Sequence, residues 1–135
     1  MTAGRERGNN SCAVQAAAIY SAPRASSLLA RLRKIFAGLA ETTETVSFGH
    51  PTFQVNGKTF SVFELYKNEL GLALKIEKEL IDVFLKDPRF YLTPYIGKKG
   101  WVTLRMESAP VDWKEVRELL KGSHRLVARN SGTVA

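Results

Sequence analysis

Cysteine occurs once, at Cys12, and histidine twice, at His50 and His124. A single cysteine excludes an intrachain disulfide and a clustered thiolate site, and suits a reducing, cytoplasmic setting. Neither histidine stands at ligand spacing from that cysteine or from carboxylates, so no zinc site is expected. No apolar run reaches the roughly 20 residues that span a bilayer, which argues against a membrane helix. There is no Gly-x-Ser-x-Gly elbow and no acid pair placed as general acid and base. Gly97-Lys98-Lys99-Gly100 lacks the spaced glycine, the following Ser or Thr and the helix start of a phosphate loop. The chain therefore reads as a binding module rather than an enzyme, with no metal and no cofactor.

Acid is the other deficit. Thirteen Asp and Glu against 20 Lys and Arg leave a net charge of +7, which favours partners carrying phosphate or carboxylate. The length of 135 residues fits one domain, and 44% hydrophobic with 24% charged residues is the composition of a folded chain rather than a disordered one. Residues 1–22 read as an unstructured extension, 23–129 as the domain and 130–135 as a frayed tail. Arg5 and Arg7 before Ala13 to Tyr20 give a weak targeting pattern that Gln15 interrupts.

What is present is a clear alternation of periods. Leu28, Leu29, Leu32, Ile35, Phe36 and Leu39 fall on one face of a first helix, entered near Ser21 and Pro23, with Arg31, Arg33 and Lys34 on its solvated side. From Thr45 the period becomes two: Val46 and Phe48, then Phe53 and Val55, point one way. Asn56-Gly57 marks a type I′ hairpin into Lys58-Thr59-Phe60, and a further strand puts Leu70, Leu72, Leu74 and Ile76 on one face and Gly71, Ala73 and Lys75 on the other. Leu80, Ile81, Phe84 and Leu85 give a short helix stopped at Asp87-Pro88. Two strands follow, Phe90 to Thr93 and Trp101 to Met106, joined by a long loop. Asp112 and Glu115 form a capping box for a last helix carrying Trp113, Val116, Leu119 and Leu120, ended at Gly122, with Ser123 capping a further turn. The order α-β-β-β-β-α-β-β-α packs as a two-layer α+β fold with helices on one face of an antiparallel sheet.

The charge is not spread evenly. Pro88 to Met106 holds Arg89, Lys98, Lys99 and Arg105 with no acid, interleaved with Tyr91, Tyr95 and Trp101. Cations neutralise phosphate and aromatic faces stack on bases, so this hairpin is the candidate nucleic-acid surface, with Lys75 extending it. Tyr91 and Trp101 read equally well as strand residues packed on neighbours. A second reading gathers His50, Lys75, Trp101 and Arg105 around a pocket for a small anionic ligand, in a binding protein or minor enzyme. The mixed-sign runs Glu77 to Asp82 and Lys114 to Glu118 read as solvated helix faces.

Three segments taken together carry a resemblance: Ser47 to Phe53 with Asn56-Gly57-Lys58; Asp87 to Tyr91 through Tyr95 to Trp101; and Trp113 through Ser123-His124-Arg125-Leu126-Val127. The chain resembles the MmcQ/YjbR family over roughly Leu28 to Ala128. Matching positions include Gly49, Pro51, Lys75, Pro88, Arg89, Gly97, Lys99, Gly100 and Trp101. The resemblance implies a curved antiparallel sheet with helices on one side, and a small bacterial-type protein binding DNA mainly by electrostatic contacts. His124 stands where the family more often has tyrosine, and Leu39-Ala40 departs from the usual proline-glycine ending of the first helix.

Overall fold

The computed structural model describes residues 19–107 and 110–130. Its elements are α1 (Ala25–Ala37), β1 (Thr42–Ser47), β2 (His50–Val55), β3 (Lys58–Tyr66), β4 (Glu69–Lys75), a 3₁₀ turn Lys78–Leu80 leading into α2 (Ile81–Leu85), β5 (Phe90–Leu92), a 3₁₀ turn Gly97–Lys99, β6 (Trp101–Arg105) and α3 (Trp113–Asn130). The expected element order is the observed one. The strands form one open antiparallel sheet in the order β1-β2-β3-β4-β6-β5.

Three two-residue hairpins set the register of the first four strands. Asn56 and Gly57 have φ of 54° and 76°, the pair of positive values that a type I′ turn demands. Phe48-Gly49 and Lys67-Asn68 also have positive φ at both positions. Phe48 is therefore a turn residue rather than part of a strand, and β1 begins at Thr42 instead of Thr45.

Alternation along the strands separates two faces. Phe53, Phe63, Leu72, Leu74, Val102, Leu104 and Phe90 share the helix side with Phe60, which a bulge opposite Phe53 and Gln54 turns to the same face. Phe36 of α1 stacks on Phe53 with ring centroids 3.7 Å apart and meets Phe60 edge-on. Phe84 of α2 meets Phe90 edge-on, and α3 lies over β3 and β4. Each fully buried Phe contributes about 1.5–3 kcal/mol of transfer free energy. Thr52, Gln54, Glu64, Ala73, Lys75, Trp101, Thr103 and Tyr91 occupy the opposite face.

The helix ends depart from expectation. Ile19 is fully buried in the core, so the packed chain starts ahead of Pro23, and Arg24 rather than a serine precedes α1, with φ of 71° and no side-chain cap. Residues 1–18 and 131–135, including Cys12, Arg5 and Arg7, lie outside the described residues. The helix α3 does not stop at Gly122. Ser123 Oγ donates to Lys75 O at 2.7 Å and Val127 joins the core, so packing against β4 carries the helix through both stop signals to Asn130. Asp112 caps α3 by accepting from Glu115 N, but the Glu115 carboxylate turns to Arg89 instead of completing the box.

Candidate nucleic-acid interface

The hairpin of β5 and β6 is antiparallel, with Phe90 opposite Leu104 and Leu92 opposite Val102. Its connection is a fixed structure. Gly97 N donates to Thr93 O, Lys99 N to Ile96 O and Gly100 N to Gly97 O, winding the lysine pair into a 3₁₀ turn. Ile76 N donates to Gly100 O at 2.8 Å, which ties the loop to the end of β4. Gly100 has φ of 103°, and a Cβ there would lie 2.6 Å from Ile76 O and 2.9 Å from Lys75 Nζ, so only glycine fits.

Lys75 completes this lock. Its Nζ donates to Lys99 O at 3.1 Å and Ile76 O at 3.3 Å, and burial, with Lys78 nearby, lowers its pKa. The ammonium thus serves the loop backbone. Arg89 is engaged more fully: both of its terminal nitrogens donate to Glu115, at 2.6 and 2.9 Å, and Nη2 and Nε reach Asp87. The two carboxylates raise the Arg89 pKa, Glu115 more than Asp87, and Arg89 holds Asp87 below the usual carboxylate range. Arg105 pairs with Glu69 at 2.8 Å, donates to Pro88 O and lies 4.9 Å over the Tyr91 ring.

The aromatic residues divide in the same way. Trp101 is 7% exposed and Tyr91 half-buried, its hydroxyl close over Gly71. Burial first, then the carboxylates of Glu64 and Glu69, push the Tyr91 phenol up to about 12. Beside it Thr103 Oγ1 donates to Glu64 Oε2, and burial raises the Glu64 pKa. Tyr95 is fully exposed at the loop tip. Ile96 N donates to Pro94 O across it and its φ is 70°, the strained form of a γ-turn.

Lys98 and Lys99 are therefore the exposed cations of the hairpin, with Tyr95 beside them and no carboxylate partner among the described residues. Lys78 joins them. Its stem passes 3.6 Å from the Cβ position of Gly100, a proximity that its mixed-sign sequence neighbourhood hid. Among the described residues no group of three or more His, Cys, Asp or Glu could hold a metal ion, and no helix is long and apolar enough to cross a membrane.

The four residues of the second reading are spread over the sheet. Lys75 faces Trp101 at one end of the β4–β6 pair, whereas Arg105 is four residues along β6, roughly 13 Å away at about 3.3 Å per residue. His50 is on β2, three strand spacings from β6, and burial lowers its pKa. Lys75 borders one cleft and Arg105 another, and neither cleft takes in His50 or Trp101.

The YjbR family profile matches residues 37–126, two-thirds of the chain and all six strands. The chain belongs to the YjbR family. A crystal structure of Deinococcus radiodurans protein DR2400, of domain family DUF419, superposes with a TM-score of 0.68 at 24% identity, covering 78% of this chain and 81% of that one. A crystal structure of a Pseudomonas syringae protein gives 0.60 at 18% identity, covering 73% and 97%, and a solution structure from the same organism gives 0.58 at 16%, covering 81% and 96%. These likenesses establish the fold. No curated protein matches the chain significantly. His124 Nε2 donates to Ala40 O at 2.8 Å, while its ring meets Phe60 edge-on. His124 thus fastens α3 to the end of α1.

Proposed function

We propose that this YjbR protein binds DNA through the tip of the β5–β6 loop, chiefly by contacts of Lys98 and Lys99 with phosphates. The observation that carries the reading is a rigid tip presenting two uncompensated lysines beside a fully exposed tyrosine. A pre-ordered loop loses little entropy on binding, and paired cations gain by releasing counterions from the DNA. Lys78 extends the patch. Tyr95 supplies a ring for an unpaired base, and its strained backbone is a conformation that function would maintain. Lys75, Arg89 and Arg105 hold the platform, with Tyr91 and Trp101 packed beneath it. Binding on this scheme is weak and indifferent to sequence, since phosphate contacts carry no base information. A reducing, cytoplasmic setting suits the single cysteine.

The test is fluorescence anisotropy with labelled duplex and single-stranded DNA at two salt concentrations. The intact chain should bind at micromolar levels or weaker, with strong salt dependence. Lys98→Ala with Lys99→Ala should flatten the duplex slope by roughly 0.9 per lost phosphate contact. Absence of binding to both DNAs at low salt would sink the reading.

A further inference from the structure

A second basic region lies where α1 and α3 run side by side. Arg31 lies 4.6 Å over the Trp113 ring at one end, and Ala40 accepts from His124 at the other, so the two helices point the same way. Between them is an open groove of about 700 Å³, within the size range of small-molecule sites. Arg31 and Lys34 stand on the α1 wall and Arg117 and Lys121 on the α3 wall, over a floor that includes Ile35, Leu39 and Trp113. Among the described residues, no acid lines it.

The acids of α3 are directed elsewhere. Glu115 is held by Arg89, and Glu118 borders the cleft on the opposite flank, reaching Lys121 only at 3.6 Å. Lys34 and Arg117 have no carboxylate partner among the described residues. The four cations span about two helical turns: with Arg31 level with Trp113, Lys121 lies eight residues further along α3, about 12 Å at roughly 1.5 Å per residue. One DNA strand presents roughly three to four charges in that length, at about 3.4 Å each, but strung along a single line, whereas these cations face one another across two walls. A chain of directly linked phosphates carries its charge far more densely.

We propose that this groove is a binding site for a compact polyphosphate, either the triphosphate of a nucleotide or a free inorganic chain. The two lysines and two guanidiniums clamp the phosphates from both walls, the arginines with the geometry for bidentate contacts. Trp113, half-buried, carries the Arg31 guanidinium on its ring, and a nucleobase would rest there by displacing Arg31 toward the phosphates. This site is separate from the loop tip and stands or falls independently of DNA binding there.

Calorimetric titration of the full chain with inorganic tripolyphosphate and with ATP, in metal-free low-salt buffer, tests the assignment. Both should bind. Arg117→Ala with Lys121→Ala should weaken tripolyphosphate at least tenfold, while Lys98→Ala with Lys99→Ala leaves it within twofold. All four positions are exposed, so the variants should keep the parent's thermal midpoint and circular dichroism. ATP binding more tightly than tripolyphosphate assigns the groove to a nucleotide, and equal affinities assign it to the phosphate chain alone. Failure of both probes to bind the intact chain would overturn the proposal, as would affinity unchanged in the groove variant. A short single-stranded DNA that is lost in the groove variant in place of tripolyphosphate would overturn it equally.

Discussion

The β5–β6 hairpin and the α1–α3 groove are both basic, yet their cations do opposite things. In the hairpin the charges are adjacent in sequence, and three of the five cations associated with it are consumed internally: Lys75 by backbone carbonyls, Arg89 by Asp87 and Glu115, Arg105 by Glu69. In the groove the charges come from helices about 80 residues apart, α1 carrying cations alone and α3 looking mixed in sign along the chain, and folding brings them to one surface. Charge density along a sequence measures how many cations are present. Only the placement of the acids decides how many are free.

The comparison can be broken by substitutions that separate holding from binding. The largest effect is expected from Gly100→Ala, which puts a Cβ against Ile76 O at a left-handed φ and should cost about 2–3 kcal/mol in chemical denaturation. A loss below about 0.5 kcal/mol would mean that the loop is not locked to β4. Tyr95→Gly comes next and acts in opposite directions: it relieves the positive φ, raising stability by up to about 1 kcal/mol, and weakens single-stranded DNA by about 1–3 kcal/mol of lost stacking. Arg89→Ala should lower the thermal midpoint by leaving Asp87 and Glu115 to repel each other, and should leave the slope of DNA affinity against salt unchanged. Were Arg89 to behave as a phosphate contact instead, its removal would flatten that slope while sparing the midpoint.

The smallest effect concerns Glu64. Its folded-state pKa is raised by burial, so the native state holds the proton more tightly than the unfolded chain. The stability that this contributes is fully present below the unfolded carboxylate pKa and is lost as pH rises through the folded one. Glu64→Gln, which keeps an oxygen to accept from Thr103, should therefore be more stable than the parent near neutrality, with the advantage shrinking as pH falls through the carboxylate range. A thermal-midpoint series across that range measures it, and an advantage that grew on acidification would contradict the sign.

Much of the fold was legible in the sequence because local rules and tertiary packing agreed. The period-two pattern from Leu70 to Ile76, the Asn56-Gly57 turn and the Asp87-Pro88 stop each encode one structure. Where they disagreed, packing won. Gly122 and Ser123 signal a helix end, yet Ser123 finds its partner on β4 and the helix continues. Phe48 and Lys67 carry no preference for left-handed backbone, so two of the three hairpin turns lacked the signal that Asn-Gly supplies. The candidate interface was legible as a composition and not as an arrangement. The run from Arg89 to Arg105 located the loop, but the partners that occupy Arg89 and Arg105 lie on β4 and α3 or across a turn. Arg31 with Lys34, and Arg117 with Lys121, share a groove only because Phe36 and Val116 draw both helices onto the same core.

The division into holding and binding cations is tested most directly by ¹⁵N–¹H correlation spectra of the intact chain titrated with duplex DNA at low salt. The account predicts progressive shifts of the amides of Tyr95, Lys98, Lys99 and Lys78, with Arg89 and Arg105 unmoved. Shifts centred on Arg89 and Arg105, with the loop tip silent, would contradict it.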